Sequence, residues 1–171
     1  MKATSQIEID CPAQDIDLAL WLSTMSDGDY QGCSRAHRAA GTFREGGSFG
    51  MVNVESVGGH LLVQHYLAAQ ATPRHVVMHS KRSRVYVMHL APAAIEVIWT
   101  LTVEPRTDHS CVLHCTVETR IWQPLGFIAT LALLPIFLRQ HVREETPGFA
   151  RDIARKVSEG RFKAAPAVLA S

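Results

Sequence analysis

His141 and Glu145 stand four residues apart in QHVREETPGFARDI (140–153), directly after the almost wholly apolar run LGFIATLALLPIFL (125–138). On a helical wheel of 100° per residue, Leu134, Phe137, Leu138, His141 and Glu145 share about one third of the circumference, and Arg139 and Arg143 fall opposite. The imidazole and the carboxylate therefore point where the leucines point. A buried, unpartnered carboxylate is costly, or else its pKa climbs until it is neutral. A His–Glu ion pair, a water-filled cavity or a metal ion would each relieve that cost. Residues i and i+4 are neighbours on a helix, about 6 Å apart at Cβ, a spacing that suits two ligands of one cation.

A metal would need further ligands. His37, in CSRAHRA, follows an Asp- and Gly-rich stretch and could face the mouth of the fold. Glu55, in VNVESVGG, ends a strand just before a Gly-Gly turn, and is either a ligand or a rim charge. His65 shares a strand face with Val63 and Leu67 and is read as inward. Glu96 lies opposite Ile95, Val97, Trp99 and Leu101 and is read as solvent-facing. Imidazole and carboxylate donors suit zinc first, with iron or manganese as alternatives. Such an ion polarises a ketone oxygen and lowers the pKa of water from ~16 towards ~7. Glu144 and His65 are candidates for moving a proton. Trp99, Leu101, Leu113 and Val117 would form an apolar wall for an aromatic ligand.

Rival chemistries find little support. No G-x-S-x-G elbow and no G-x-x-x-x-G-K-[ST] loop occurs, and EGGSFG (45–50) reads as a hairpin turn. Cys33 lies near His37, but a reactive thiol needs an electropositive setting that the loop does not supply. With 17 Lys+Arg against 16 Asp+Glu, a net charge of +1 leaves no footprint for nucleic acid. The four cysteines form no CxxC pair and read as buried free thiols of a reducing cytoplasm. MKATSQIEID lacks the apolar core of a secretory signal. The run 125–138 is too short for the roughly 20 residues of a membrane span and reads as a core helix, with a homodimer contact as the other use for it.

The elements that must position these residues follow from periodicity. ATSQIEID alternates as a first strand, stopped by Pro12. DIDLALWLSTM (15–25) has the apolar spacing of a short helix, and SDGDYQG (26–32) reads as a turn. From about 38 to 120 the chain is mostly strand, with candidates at 48–57, 60–69, 74–80, 84–90, 94–105 and 110–122. From 124 to 159 the pattern is helical, and Pro135 and Thr146-Pro147-Gly148 are expected to kink or divide it. One domain spans 1–160, and RFKAAPAVLAS (161–171) is a tail.

A strand, a short helix, a long antiparallel meander and a last long helix resemble the START-like (SRPBCC, Bet v 1-like) superfamily. That resemblance implies an α+β helix-grip fold, a curved antiparallel sheet around a long C-terminal helix with a cavity between them. Four segments are more specific. DGDYQGCSRAH (27–37), NVESVGG (53–59), ETRIWQPLG (118–126) and HVREETPGF (141–149) resemble segments of the diacetylphloroglucinol hydrolase / phloretin hydrolase family. Those enzymes are metal-dependent and cleave the carbon–carbon bond between an acyl group and a phenolic ring. The resemblance implies that His37, Glu55, His141 and Glu145 ligate one metal, zinc above others, and that Tyr30 is a catalytic residue that hydrogen-bonds the substrate phenol. The substrate would also meet Trp99 and Leu113. This chain is much shorter than those relatives, and its gap from His37 to Glu55 is also shorter, without the insertion that shapes their pocket, so the substrate carries over less well than the metal. Because the fold hosts binders and enzymes alike, the alternative is a non-catalytic carrier of a lipid, quinone or polyketide.

Overall fold

The computed structural model describes residues 1–121 and 133–162. Seven strands form one antiparallel sheet: β1 (Lys2–Ile9), β2 (His37–Glu45), β3 (Ser48–Val57), β4 (His60–Ala71), β5 (His75–Val87), β6 (Ala91–Pro105) and β7 (Cys111–Ile121). Their spatial order is β1-β7-β6-β5-β4-β3-β2. Two short helices, α1 (Leu18–Ser23) and α2 (Asp27–Cys33), connect β1 to β2, and the long helix α3 (Leu134–Ser158) closes the fold. The sheet curves around α3, which packs on β1, β7 and α2. This is the helix-grip arrangement expected above.

Alternation decides which side chains enter the core. On β3, Met51, Asn53, Glu55 and Val57 are buried; on β6, Ile95, Val97, Trp99, Leu101 and Val103 are; on β7, Leu113, Cys115, Val117 and Thr119 are. Helix α3 meets this face with Leu138, His141, Val142, Glu145, Phe149 and Ile153. The β3–β4 turn needs glycine, since Gly58 and Gly59 both adopt positive φ.

The structure corrects several sequence expectations. The stretch 26–32 is a helix for most of its length, not a turn. Ser26 and Asp29 form a capping box at its start, so the Asp and Ser that suggest a turn act as helix initiators. The segments 74–80 and 84–90 belong to one strand, β5. Its pairing with β6 shifts between Ser80 and Ser83, where Lys81 and Arg82 are both exposed and the inward phase resumes at Ser83. β2 runs from His37 to Glu45, a stretch for which alternation proposes no separate strand.

Neither proline divides α3. Pro135 sits in the first turn, where a missing N–H costs nothing. Pro147 lies inside the helix, and the preceding residue is tied to the previous turn by Thr146 Oγ1, which donates to the Val142 carbonyl at 2.5 Å. Residues 125–132 of the apolar run and 163–171 of the tail lie outside the described residues. Among the described residues no helix is long and apolar enough to cross a membrane. The four cysteines are free and buried.

Candidate metal centre

Three elements bring four residues together. After α2 the chain turns sharply, with the Ser34 carbonyl accepting from the His37 N–H at 3.2 Å, and this turn makes His37 the first residue of β2. In the β2–β3 ladder His37 lies opposite Glu55. Across the core, α3 presents His141 and Glu145 one turn apart on its inner face. All four are buried. Four ligand atoms, one from each, lie within 4.8 Å of one another.

The shorter edges of that constellation carry information. His141 Nε2 is 3.2 Å from Glu145 Oε2 and 3.3 Å from Glu55 Oε2, and His37 Nε2 is 3.3 Å from Glu145 Oε2. A charge-assisted N–H···O bond usually closes to about 2.7–2.9 Å. A tetrahedral ion with ligands at about 2.0–2.1 Å has ligand–ligand edges about 1.63 times longer, or about 3.3–3.4 Å. These three edges fit the second spacing better than the first, while the full set of four atoms spans up to 4.8 Å, so these residues could hold a metal ion.

A second layer orients two of these side chains, His37 and Glu55. The His37 Nδ1–H donates to the Tyr30 carbonyl at 2.7 Å, which leaves the Nε2 lone pair facing the cluster. The ring of Tyr30 stacks on that of His37, with centroids 3.8 Å apart and planes 3° from parallel. The Tyr30 hydroxyl donates to Glu55 Oε1. Asn53 Nδ2 donates to the Tyr30 oxygen at 2.7 Å and to Glu55 Oε1 at 3.1 Å. One carboxylate oxygen of Glu55 is thus fully engaged, and the other faces His141.

The electrostatics match this geometry. Burial alone would depress the His141 imidazole, but Glu145 and Glu55 outweigh it and hold its pKa well above 6.5. Burial would raise Glu145, but His141 and then His37 bring it down to about 2. Burial, then Glu55 and Glu145, push the Tyr30 phenol well above 10, so it keeps its proton.

Beside the cluster lies a cavity lined by Val57, Leu62, Tyr66, Trp99, Val117 and Leu138 among others. Tyr30, Glu55, His141 and Glu145 also line it. Trp99 and Val117 are therefore on the cavity wall as expected. Leu101 and Leu113 are buried further along their strands and are not part of that wall.

Neither proton-moving candidate reaches the cavity. His65 is exposed and stacks on Phe43, because the inward phase of β4 is carried by Leu62, Gln64 and Tyr66. Glu144 is exposed and accepts from Gln140. Glu96 lies on the outer face, where it pairs with His79 and Arg120. Cys33 is buried, and burial followed by Asp152 pushes its thiol up to about 12, which is no setting for a nucleophile.

Sequence reasoning missed Asn53, Gln64, Tyr66 and Thr119. A signal for one of them existed: Asn53 is two residues before Glu55 and must share its face.

No known protein family and no curated protein matches the chain by sequence. Solved structures do resemble it in fold. A protein of Thermus thermophilus superimposes with a TM-score of 0.67 at 9% identity, covering 91% of this chain and 98% of that one. A START superfamily protein from Mycobacterium smegmatis gives 0.54 at 9% identity, over 92% and 97%. The Zhui aromatase/cyclase from Streptomyces sp. R1128 gives 0.58 at 13% identity, over 98% and 99%. At such identities the likeness establishes the START-like helix-grip fold and no activity.

Proposed function

We propose that His37, Glu55, His141 and Glu145 ligate one metal ion, zinc by preference with iron or manganese as substitutes, and that the protein is a hydrolase of small acylated phenolic ketones. The observation that carries this reading is the set of 3.2–3.3 Å edges among four buried ligating side chains. Four such groups gathered in a core would otherwise be a poor use of buried space.

Bound zinc would supply a Lewis acid for a ketone oxygen and a means of activating water near neutral pH. The chain's own residues do the rest. Tyr30 and Asn53 orient Glu55, and the Tyr30 carbonyl orients His37. Tyr30 has committed its proton to Glu55, so it can meet a substrate phenol only as an acceptor. Tyr66 also holds its proton, its pKa raised well above 10 by burial first, and serves as the cavity's phenolic donor. Trp99 and Val117 pack the ring. In the overall reaction the bond between ring carbon and acyl carbon breaks, water oxygen bonds to the acyl carbon, and a water proton ends on the ring carbon. The products are the phenol and a carboxylic acid.

The carrier reading fits less well. A carrier of a lipid, quinone or polyketide needs an apolar wall and no ligating cluster, whereas this cavity has two carboxylates on its wall. Four free buried thiols suit a reducing compartment such as the cytoplasm.

Elemental analysis of purified protein tests the reading. About one zinc per chain is expected, and His141→Ala should abolish it while the circular dichroism spectrum stays folded. Acid release from hydroxyacetophenones should stop on chelation and return with zinc. Metal-free protein that co-purifies with lipid would overturn the proposal in favour of a carrier.

A further inference from the structure

The cavity has unmet polar needs away from the metal-ligating atoms. Gln64 and Thr119 are each 4% exposed and Asn53 is 2% exposed. Gln64 Oε1, Thr119 Oγ1 and Asn53 Oδ1 are buried with no hydrogen-bond partner among the described residues. All three residues line the cavity. Asn53 and Gln64 are direct partners in the β3–β4 ladder, and Thr119 lies on β7, opposite Val97 of β6. Asn53 cannot resolve its need by turning its amide over, because Nδ2 is held by Glu55 and Tyr30.

Buried polar atoms are nearly always paired, and unpaired ones destabilise the fold. Three on one cavity wall need a partner that the chain does not provide. Together they offer acceptors (Asn53 Oδ1, Gln64 Oε1, Thr119 Oγ1) and donors (the Gln64 amide and the Thr119 hydroxyl). No Lys or Arg lines the cavity, and two carboxylates do. An anionic substituent at this wall would therefore meet no cation.

We propose that Gln64 and Thr119, with Asn53, are ligand-orienting residues that hydrogen-bond a neutral hydroxyl of a compact aromatic ligand and so turn its other end towards the His/Glu cluster. This deepens the function proposed above, because it concerns a ligand of the same cavity, but it does not require that a metal be bound.

The test compares three probes that differ in one substituent: 4-hydroxyacetophenone, 4-methylacetophenone and 4-acetylbenzoate. Binding is read from the change in tryptophan fluorescence and, independently, by calorimetry. Wild-type protein should bind the hydroxyl probe about tenfold more tightly than the methyl probe, the net effect of about one hydrogen bond, and should reject the carboxylate. Gln64→Leu with Thr119→Val should abolish that preference and leave the methyl probe bound as well or better. In ligand-free protein the same double variant should raise Tm by about 2–4 °C, because it removes unpaired buried atoms.

Equal affinity for the hydroxyl and methyl probes in wild type, or no binding of either, overturns the proposal. So does a preference that survives the double variant, or a fall in Tm that marks the two residues as structural. The same comparison in His141→Ala separates the two readings. A preference retained in that zinc-free variant leaves the orienting residues standing, and absence of zinc from the wild-type protein overturns the metal centre alone.

Discussion

Gly148 of α3 lies so closely against the Cys33 carbonyl that a Cβ at position 148 would overlap that oxygen. The contact joins the end of α2 to the inner face of α3. It joins the two sides of the cluster: Tyr30 of α2 and, just after it, His37 at the start of β2 on one side, His141 and Glu145 of α3 on the other. The neighbouring charges reinforce it. Lys156 is 3.0 Å from Asp152 and 3.1 Å from Asp29 of α2, and Asp152 accepts from Trp21 Nε1 at 2.8 Å.

Gly148→Ala should therefore act on the site without touching a ligand. The added methyl forces α2 away from α3, at a cost of about 1–3 kcal/mol as for other overpacked positions. Zinc affinity should fall because His37 moves with α2. Calorimetric zinc titration beside a thermal melt checks both, and unchanged affinity would show that α2 is positioned by other means.

Lys156→Met tests the charged half of the same junction. Asp152 keeps Trp21 and Arg155 as partners, so the loss should be about 1–3 kcal/mol, as when one partner of a buried polar group is removed. Chemical denaturation gives the number. Zinc content should stay near that of the parent protein, because no ligand loses its own hydrogen bonds.

Tyr30→Phe removes the hydroxyl that donates to Glu55 and accepts from Asn53. Loss of such an outer partner typically weakens a metal site 10–100-fold, and about that loss is expected here. Retained zinc with lost turnover would instead give Tyr30 a direct role at the substrate.

The pH dependence differs between metal-free and zinc-bound protein. The His141 pKa is raised above 6.5, so its contribution to stability is full below that pH and is lost as pH rises through the folded value. Glu145 is lowered from 4.5 to about 2, so its contribution is present above 4.5 and fades as pH falls towards 2. Metal-free protein should accordingly lose stability on its acid side between those two values. Zinc must displace the His141 proton, so its apparent affinity should rise with pH, by up to about tenfold per unit. Zinc titrations at pH 6 and pH 8 measure the difference, and equal affinities would exclude His141 as a ligand.

Local pattern carried much of the reading. The inward direction of His141 and Glu145 was legible from the wheel alone, because helical period is a property of the backbone. The β-rich middle was legible for the same reason, since alternation and Gly-Gly turns are written residue by residue. Where patterns compete, the reading failed. Asp and Gly at 26–32 serve turns and helix starts equally, and only the Ser26–Asp29 capping box decides between them. His65 looked inward because it shares a face with Val63 and Leu67, yet the opposite face, carrying Gln64 and Tyr66, is the buried one.

By itself, then, the chain determined which residues could ligate and which way the last helix turns them. The three-dimensional fold alone decided that His37 pairs opposite Glu55, that α3 brings His141 and Glu145 to this pair with ligand atoms of all four within 4.8 Å of one another, and that Asn53, Gln64 and Thr119 look into the same cavity. Period and propensity act over a few residues. Convergence of positions 37, 55 and 141 depends on strand register and on how α2 and α3 pack, and no single segment encodes either of these.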